Sequence, residues 1–324
     1  MTPDAIMPPG TLISPRLFRI GYLPAYAATA FLLSLIWAGA PGRPVIFARA
    51  WRTADHVGVV GLVLLVLVIT MITAVLQPLQ ASMVAVLEGG FPRWLGAGFA
   101  RRSQLWRKRR LERSIQAKVD RAAVLECDPA SRAQYEALVG EAGVASAFLR
   151  SRFPAAEHLV RPTSLGNALA AIADDAGAAY GLDTVVAWPR LYPVLGDQVR
   201  AMVDDLRDSL DASARLTVTG MLTGAATIAL LAGHSGWRTL LALIPFAVAA
   251  LAYSGAIRAA VVYGTAIRIG FDLYRFDMLQ ALHLEVPRRE GAEQAKNTAL
   301  SDFFRQGVPA SFTYTEPGRP DGNR

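Results

Sequence analysis

Residues 57–87 read VGVVGLVLLVLVITMITAVLQPLQASMVAVL, without one charged side chain. At about 1.5 Å of rise per residue, a helix of that length outreaches the roughly 30 Å hydrocarbon core of a bilayer. Only a very large soluble core could bury such a helix, so its length favours a membrane span. The whole chain of 324 residues leans the same way. It is 53% hydrophobic and 18% charged, whereas an ordinary soluble domain carries about a quarter charged residues.

Toward the N-terminus, residues 41–56 hold Arg43, Arg49, Trp51 and Arg52. Before them, residues 21–40 read GYLPAYAATAFLLSLIWAGA, a second uncharged run just long enough to span. Arg16 and Arg19 precede that run, and Ala38-Gly39-Ala40 has the form of a signal cleavage site. A retained helix is the favoured reading. The apolar part is long for a signal sequence, Tyr22, Tyr26 and Trp37 mark its two ends, and another span follows at once. Residues 1–20 contain Pro3, Pro8, Pro9 and Pro15 and are expected to be irregular.

Toward the C-terminus comes a dense basic block: Arg101, Arg102, Arg107, Lys108, Arg109, Arg110, Arg113, Lys118 and Arg121. It contributes heavily to the net charge of +7. The positive-inside rule puts it in the cytoplasm, with residues 41–56 outside and the N-terminus inside. Juxtamembrane clusters of this kind lie on phospholipid headgroups or dock a soluble partner, and Arg101 to Arg113 are the candidates for that role. No groove-reading motif accompanies the charge, so nucleic acid is not an expected partner.

The span itself is interrupted by Gln77-Pro78-Leu79-Gln80. Pro78 removes one intrahelical hydrogen bond and predicts a kink. Gln77 and Gln80 prefer water, protein or a partner helix to lipid. Gln77, Pro78 and Gln80, with Glu88 at the span's end, are candidate pore-lining or hinge residues; a plain kinked helix is the alternative.

Residues 88–215 are alanine-rich and punctuated by Pro and Gly, which predicts an all-helical domain. Helices are expected over 99–126, 130–152 and 164–179, the last capped by Thr163 or Ser164 and stopped at Gly181. Residues 182–195, with Trp188-Pro189 and Tyr192-Pro193, read as an extended or turned loop. A helix from Asp197 should run unbroken into a third span at 216–233, its acids at 204–211 lying against the basic helix. A fourth span, 239–257, should continue as a helix to about residue 284. A polar helix over 291–306 and a disordered tail over 307–324 complete the expected order. The predicted fold is therefore all-α: transmembrane hairpins at 21–87 and 216–258, a cytoplasmic domain at 88–215, and cytoplasmic C-terminal helices at 259–306. Both termini would face the cytoplasm of a bacterial inner membrane. Gly220 and Gly224 have GxxxG spacing, which suits packing within the subunit or self-association equally.

Catalytic signatures are missing from the sequence. Cys127 is the single cysteine, and His56, His158, His234 and His283 show no metal-ligand spacing. No Walker A, G-x-S-x-G or dinucleotide fingerprint occurs. Neither an enzyme, nor a metal, nor a cofactor is expected.

Several segments carry a resemblance: Leu87-Glu88-Gly89, Pro162-Thr163-Ser164-Leu165-Gly166-Asn167, Tyr180-Gly181-Leu182-Asp183, Trp188-Pro189-Arg190-Leu191 and Phe271-Asp272-Leu273-Tyr274-Arg275. Together they resemble a family of bacterial, actinobacterial-type four-span membrane proteins. The resemblance covers most of residues 21–284 and implies the topology, with no activity attached. Gly90-Phe91 departs from the pair of aromatics expected after Leu-Glu-Gly. Read from the residues, Thr163 caps a helix and Gly166 admits a close backbone. Asn167 would bridge to Trp188-Pro189-Arg190, and Arg190 would pair with Asp183. That makes a fold-fixing corner more than a ligand site. Two functions follow as expectations: an oligomeric pore gated by the helical domain, or a membrane-anchored interaction or signalling component of a multi-gene system.

Overall fold

The computed structural model describes residues 23–90, 96–126, 129–232, 236–307 and 311–315. Residues 1–20, Phe91, Cys127, His234 and the tail beyond 315 lie outside the described residues, as do the side chains of Gln77, Pro78 and Gln80. Among the described residues ten α-helices follow in chain order: α1 Leu23–Trp37, α2 Phe47–Asp55, α3 Val59–Leu87, α4 Ala97–Leu125, α5 Arg132–Arg152, α6 Ser164–Asp175, α7 Thr184–Leu191, α8 Asp197–Leu231, α9 Leu243–Ala281 and α10 Glu290–Gln306. Among the described residues there is no strand, only an isolated antiparallel bridge between Leu284 and Tyr314. The all-α expectation holds. Contacts divide the chain into two compact units, Met1–Gly90 with Asp208–Arg258, and Phe91–Arg207 with Ala259–Arg324.

The first unit is the apolar one. α8 and the helical stretch Gly236–Ala281 are each long and apolar enough to cross a bilayer. A third span arises if Phe47–Asp55 and Val59–Met71, bent by 115°, are counted together. The described helix at the first apolar run is shorter than its 20-residue sequence allows. α1 has 15 residues, about 22 Å of rise, and Gly39 at φ +124° turns the chain immediately after it. Leu35, Ala38, Ala40, Val45 and Ala50 then close a small core with Leu231. α3 touches α1 along one stripe, where Tyr26 Oη and Thr70 Oγ1 share a 2.5 Å hydrogen bond. The rest of its first half is open: Val59, Val60, Leu62, Val63, Leu64, Leu67 and Met71 are all more than half exposed. Such a surface requires an apolar surrounding.

Gly220 and Gly224 are explained by packing inside the subunit. A Cβ on Gly220 would meet the Pro245 carbonyl and Ala249, and one on Gly224 would strike the Phe246 ring. Beside them Thr217, Thr223 and Thr227 are buried and donate to the carbonyls of Ser213, Thr219 and Thr223. Their hydroxyls are satisfied on their own helix, so an apolar surrounding costs little.

The second unit is built on an antiparallel α4–α5 hairpin, joined through a 3-10 turn at Pro129–Ser131. Lys118 pairs with Glu141 at 2.8 Å, and farther along Arg109 grips Glu157 with two hydrogen bonds of 2.7 and 2.8 Å. α5 is a described neighbour of the basic helix, and Asp204 of the acidic stretch accepts from Tyr192 Oη at 2.7 Å.

Three further expectations are corrected here. α6 ends at Asp175, four residues before its expected last residue at 179, and a separate 3-10 turn at Ala178–Tyr180 leads into Gly181 at φ +74°. Residues 182–195 are not a loop. The Asp183 carboxylate accepts from Val185 N and starts α7, whose Trp188 and Leu191 are buried; Pro189 sits within the helix, and a 3-10 turn at Tyr192–Val194 follows. Burial of that apolar face outweighs the single hydrogen bond that Pro189 forfeits. Part of the supposedly disordered tail is also held: Glu285 N donates to Thr313 O, Thr315 N donates to His283 O, and Phe312 meets Phe303 edge-on.

Candidate functional site

Of the five segments quoted above, all but Leu87-Glu88-Gly89 lie in the second unit. Thr163 caps α6 by accepting from Gly166 N at 3.0 Å, as its sequence position predicts. Leu165, Gly166 and Asn167 of the same turn are buried. Asn167 faces back along the chain: its Oδ1 accepts from Arg161 N at 2.7 Å and its Nδ2 donates to Arg161 O at 3.1 Å. This bidentate clasp fixes the backbone of Arg161, just before Pro162, where a bridge to Trp188-Pro189-Arg190 was expected. The expected Arg190–Asp183 pair is replaced too. Asp183 pairs with Arg305 of α10, while Arg190 donates to Val186 O and lies 3.7 Å over the Phe304 ring.

α10 is the element that sequence reasoning missed as a partner. Asn297 donates to Tyr180 O at 2.8 Å, and Ser301 accepts from Asp183 N at 3.0 Å. Gly181 is required here both by its positive φ and by the Gln294 carbonyl, 2.7 Å from where a Cβ would sit. The only advance signal was Asn297 and Ser301 at i, i+4 spacing on one helix face.

Charged groups hold α9 to the same corner. Tyr180 Oη donates to Asp272 at 2.6 Å, Arg268 pairs with Asp175 at 3.0 Å, and Arg275 pairs with Glu293 at 2.8 Å. The bond to Asp272 raises the Tyr180 phenol above its ordinary value. Burial, then the bond to Asp204, pushes Tyr192 up to about 12.

Beside this corner opens a cleft of about 590 Å³ lined by His158, Arg161, Asp174, Asp183, Arg305 and a few apolar side chains. Both acids are engaged by the chain itself: Asp174 accepts from Ala155 N at 2.7 Å, and Asp183 holds Val185 N and Arg305. The lining is thus polar and charged, with both acids already bonded to the chain.

The basic block divides into two faces of α4. Arg101 donates to the carbonyls of Val160, Glu157 and His158. Lys108 is 2% exposed and donates to Ala155 O, which removes it from any docking surface. Arg109 is committed to Glu157, whose carboxyl it holds below the ordinary carboxylate range. Arg102, Arg107, Arg110 and Arg113 are exposed. Of the pore or hinge candidates, Gln77, Pro78 and Gln80 lie within α3, and Glu88 is its C-terminal cap, donating its N–H to Val84 O while Gly89 N donates to Val86 O. Among the described residues no group of His, Cys, Asp and Glu could hold a metal. No protein-family model matches this chain, and neither the curated proteins nor the solved structures give a match.

Proposed function

We propose that this chain is the subunit of a homo-oligomeric, pore- or channel-like assembly in a bacterial cytoplasmic membrane. In this reading it crosses the bilayer four times with both termini inside, and the helical unit is the gate. The observation that carries it is the continuity of α8 and α9, each of which supplies residues to both units without a break. A shift imposed on residues 259–281 is passed to 243–258 with no loop to absorb it. The broad exposure of Val59–Met71 adds support, because it offers apolar surface to lipid and to further copies at once. One subunit is too thin to enclose a pathway, so transport demands several. Gln77, Pro78 and Gln80 of α3 then line it. The test is mass measurement in mild detergent followed by reconstitution and ion-flux recording. A symmetric oligomer whose flux changes on Gln77→Leu or Gln80→Leu is expected; a flux-silent monomer overturns the proposal.

The charged cleft favours a second reading, a membrane-anchored interaction or signalling component without transport. It expects a soluble cytoplasmic protein to co-purify and to be lost on Arg305→Ala, with flux absent throughout.

A further inference from the structure

We infer that the outward face of α4 rests on an anionic bilayer surface, with Phe99 and Trp106 inserted among headgroups and Arg102, Arg110 and Arg113 paired with lipid phosphates. Helical geometry separates two sides of α4. At about 100° per residue, Phe99, Trp106 and Arg110 fall within about 40° of one another. Arg113 and Arg102 lie about 20° and 40° beyond Trp106 on one side, and Gln104 and Lys108 lie opposite. The burial follows that division. Gln104 is 7% and Lys108 2% exposed, whereas Phe99 is 82% and Trp106 56% exposed. Arg101 and Lys108 are spent on the carbonyls of residues 155–160, and Arg109, itself exposed, is spent on Glu157. The outer ones remain at the surface, Arg110 lying 5.4 Å over the Trp106 ring.

Exposed aromatics in line with arginines are the pattern of an interfacial helix, where rings enter the headgroup layer and guanidinium groups meet phosphate. A nucleic-acid surface explains the arginines, but it leaves the Phe99 ring in water. Tethering also favours the bilayer. In sequence, Phe99 follows Leu87, the last residue of the apolar α3, by only 12 positions. The inference needs the chain to sit in a membrane, but not that it conducts.

The full-length protein is reconstituted into nanodiscs of phosphatidylcholine alone or with part replaced by phosphatidylglycerol, each carrying brominated acyl chains. The emission difference between wild type and Trp106→Phe isolates Trp106. In the anionic discs that difference should be quenched by bromine, shielded from aqueous iodide, and released as salt is raised. At about 1 kcal/mol per surface cation, the triple variant Arg102→Gln, Arg110→Gln, Arg113→Gln should lower the bound-to-free ratio of this face on the order of a hundredfold. The wild-type salt and lipid dependence stands even if that variant misfolds. Iodide access to Trp106 that is equal in both kinds of disc overturns the inference and leaves the pore reading untouched. So does release of Trp106 from the lipid by added duplex DNA, which would mark the face as a nucleic-acid surface.

Discussion

Asn167 shows how much one side chain can carry. It is wholly buried, and both ends of its amide are spent on the backbone of Arg161. Asn167→Ala leaves that N–H and C=O without their partner, at about 1–3 kcal/mol for each group that stays dry. We therefore expect a loss of about 2–4 kcal/mol in denaturant or thermal unfolding of the purified protein, with Asn167→Asp intermediate. Tyr192 makes a different prediction. Its phenol is raised to about 12, so the folded protein holds that proton more tightly than the unfolded chain does. The resulting stabilisation is complete below about 10 and disappears as pH climbs through the folded value. In an ultraviolet titration Tyr192 should ionise late, and Tyr192→Phe should remove that late step. The capping roles of Thr163 and the stop at Gly181 were legible in the sequence, because caps and left-handed glycines depend on neighbours within a few residues. The partners of Asn167, Asp183 and Arg190 were not. Those depend on where Arg161, Arg305 and Phe304 arrive, and no local rule contains that.

At the scale of elements, the α4–α5 hairpin and the α8–α9 pair answer to different forces. The hairpin carries exposed ion pairs, in which Lys118 and Arg109 hold the carboxyls of Glu141 and Glu157 below the ordinary value of 4.5. Depressed carboxylates stabilise fully above that value and lose their contribution as pH falls through the folded-state value. Amide protection over residues 97–152, corrected for the intrinsic slowing of exchange in acid, should therefore fall below about pH 4.5, and Glu157→Gln should blunt the change. The α8–α9 pair depends on shape. Gly224→Leu drives a side chain into Phe246 and should cost at least about 1–3 kcal/mol. Subunit mass should be unaffected until the fold itself is lost; a clean loss of oligomer at full helix content would return these glycines to a self-association role. Long apolar helices were readable because composition alone forces them into helix. α7 was not, since Pro189 and Pro193 speak for a turn, and only the tertiary burial of Trp188 and Leu191 reverses that local preference.

For the whole molecule, the decisive fact is that the chain passes between its two units three times, near residues 90, 207 and 258. Two glycines inserted between Arg258 and Ala259 should leave helix content and subunit mass nearly unchanged while altering flux, if α9 transmits the gating movement; unchanged flux would argue that it does not. The same division dictates an order of assembly on the ribosome. Asp183, Tyr180 and Asp175 are translated well before the arginines and amides of α9 and α10 that complete them. In between come the apolar stretches of α8 and α9, each long enough to cross a bilayer. The larger half of the molecule thus waits, incomplete and in need of protection, until its last long helix is released. A premature stop anywhere before residue 306 should therefore cripple that half, although most of its amino acids would already have been made.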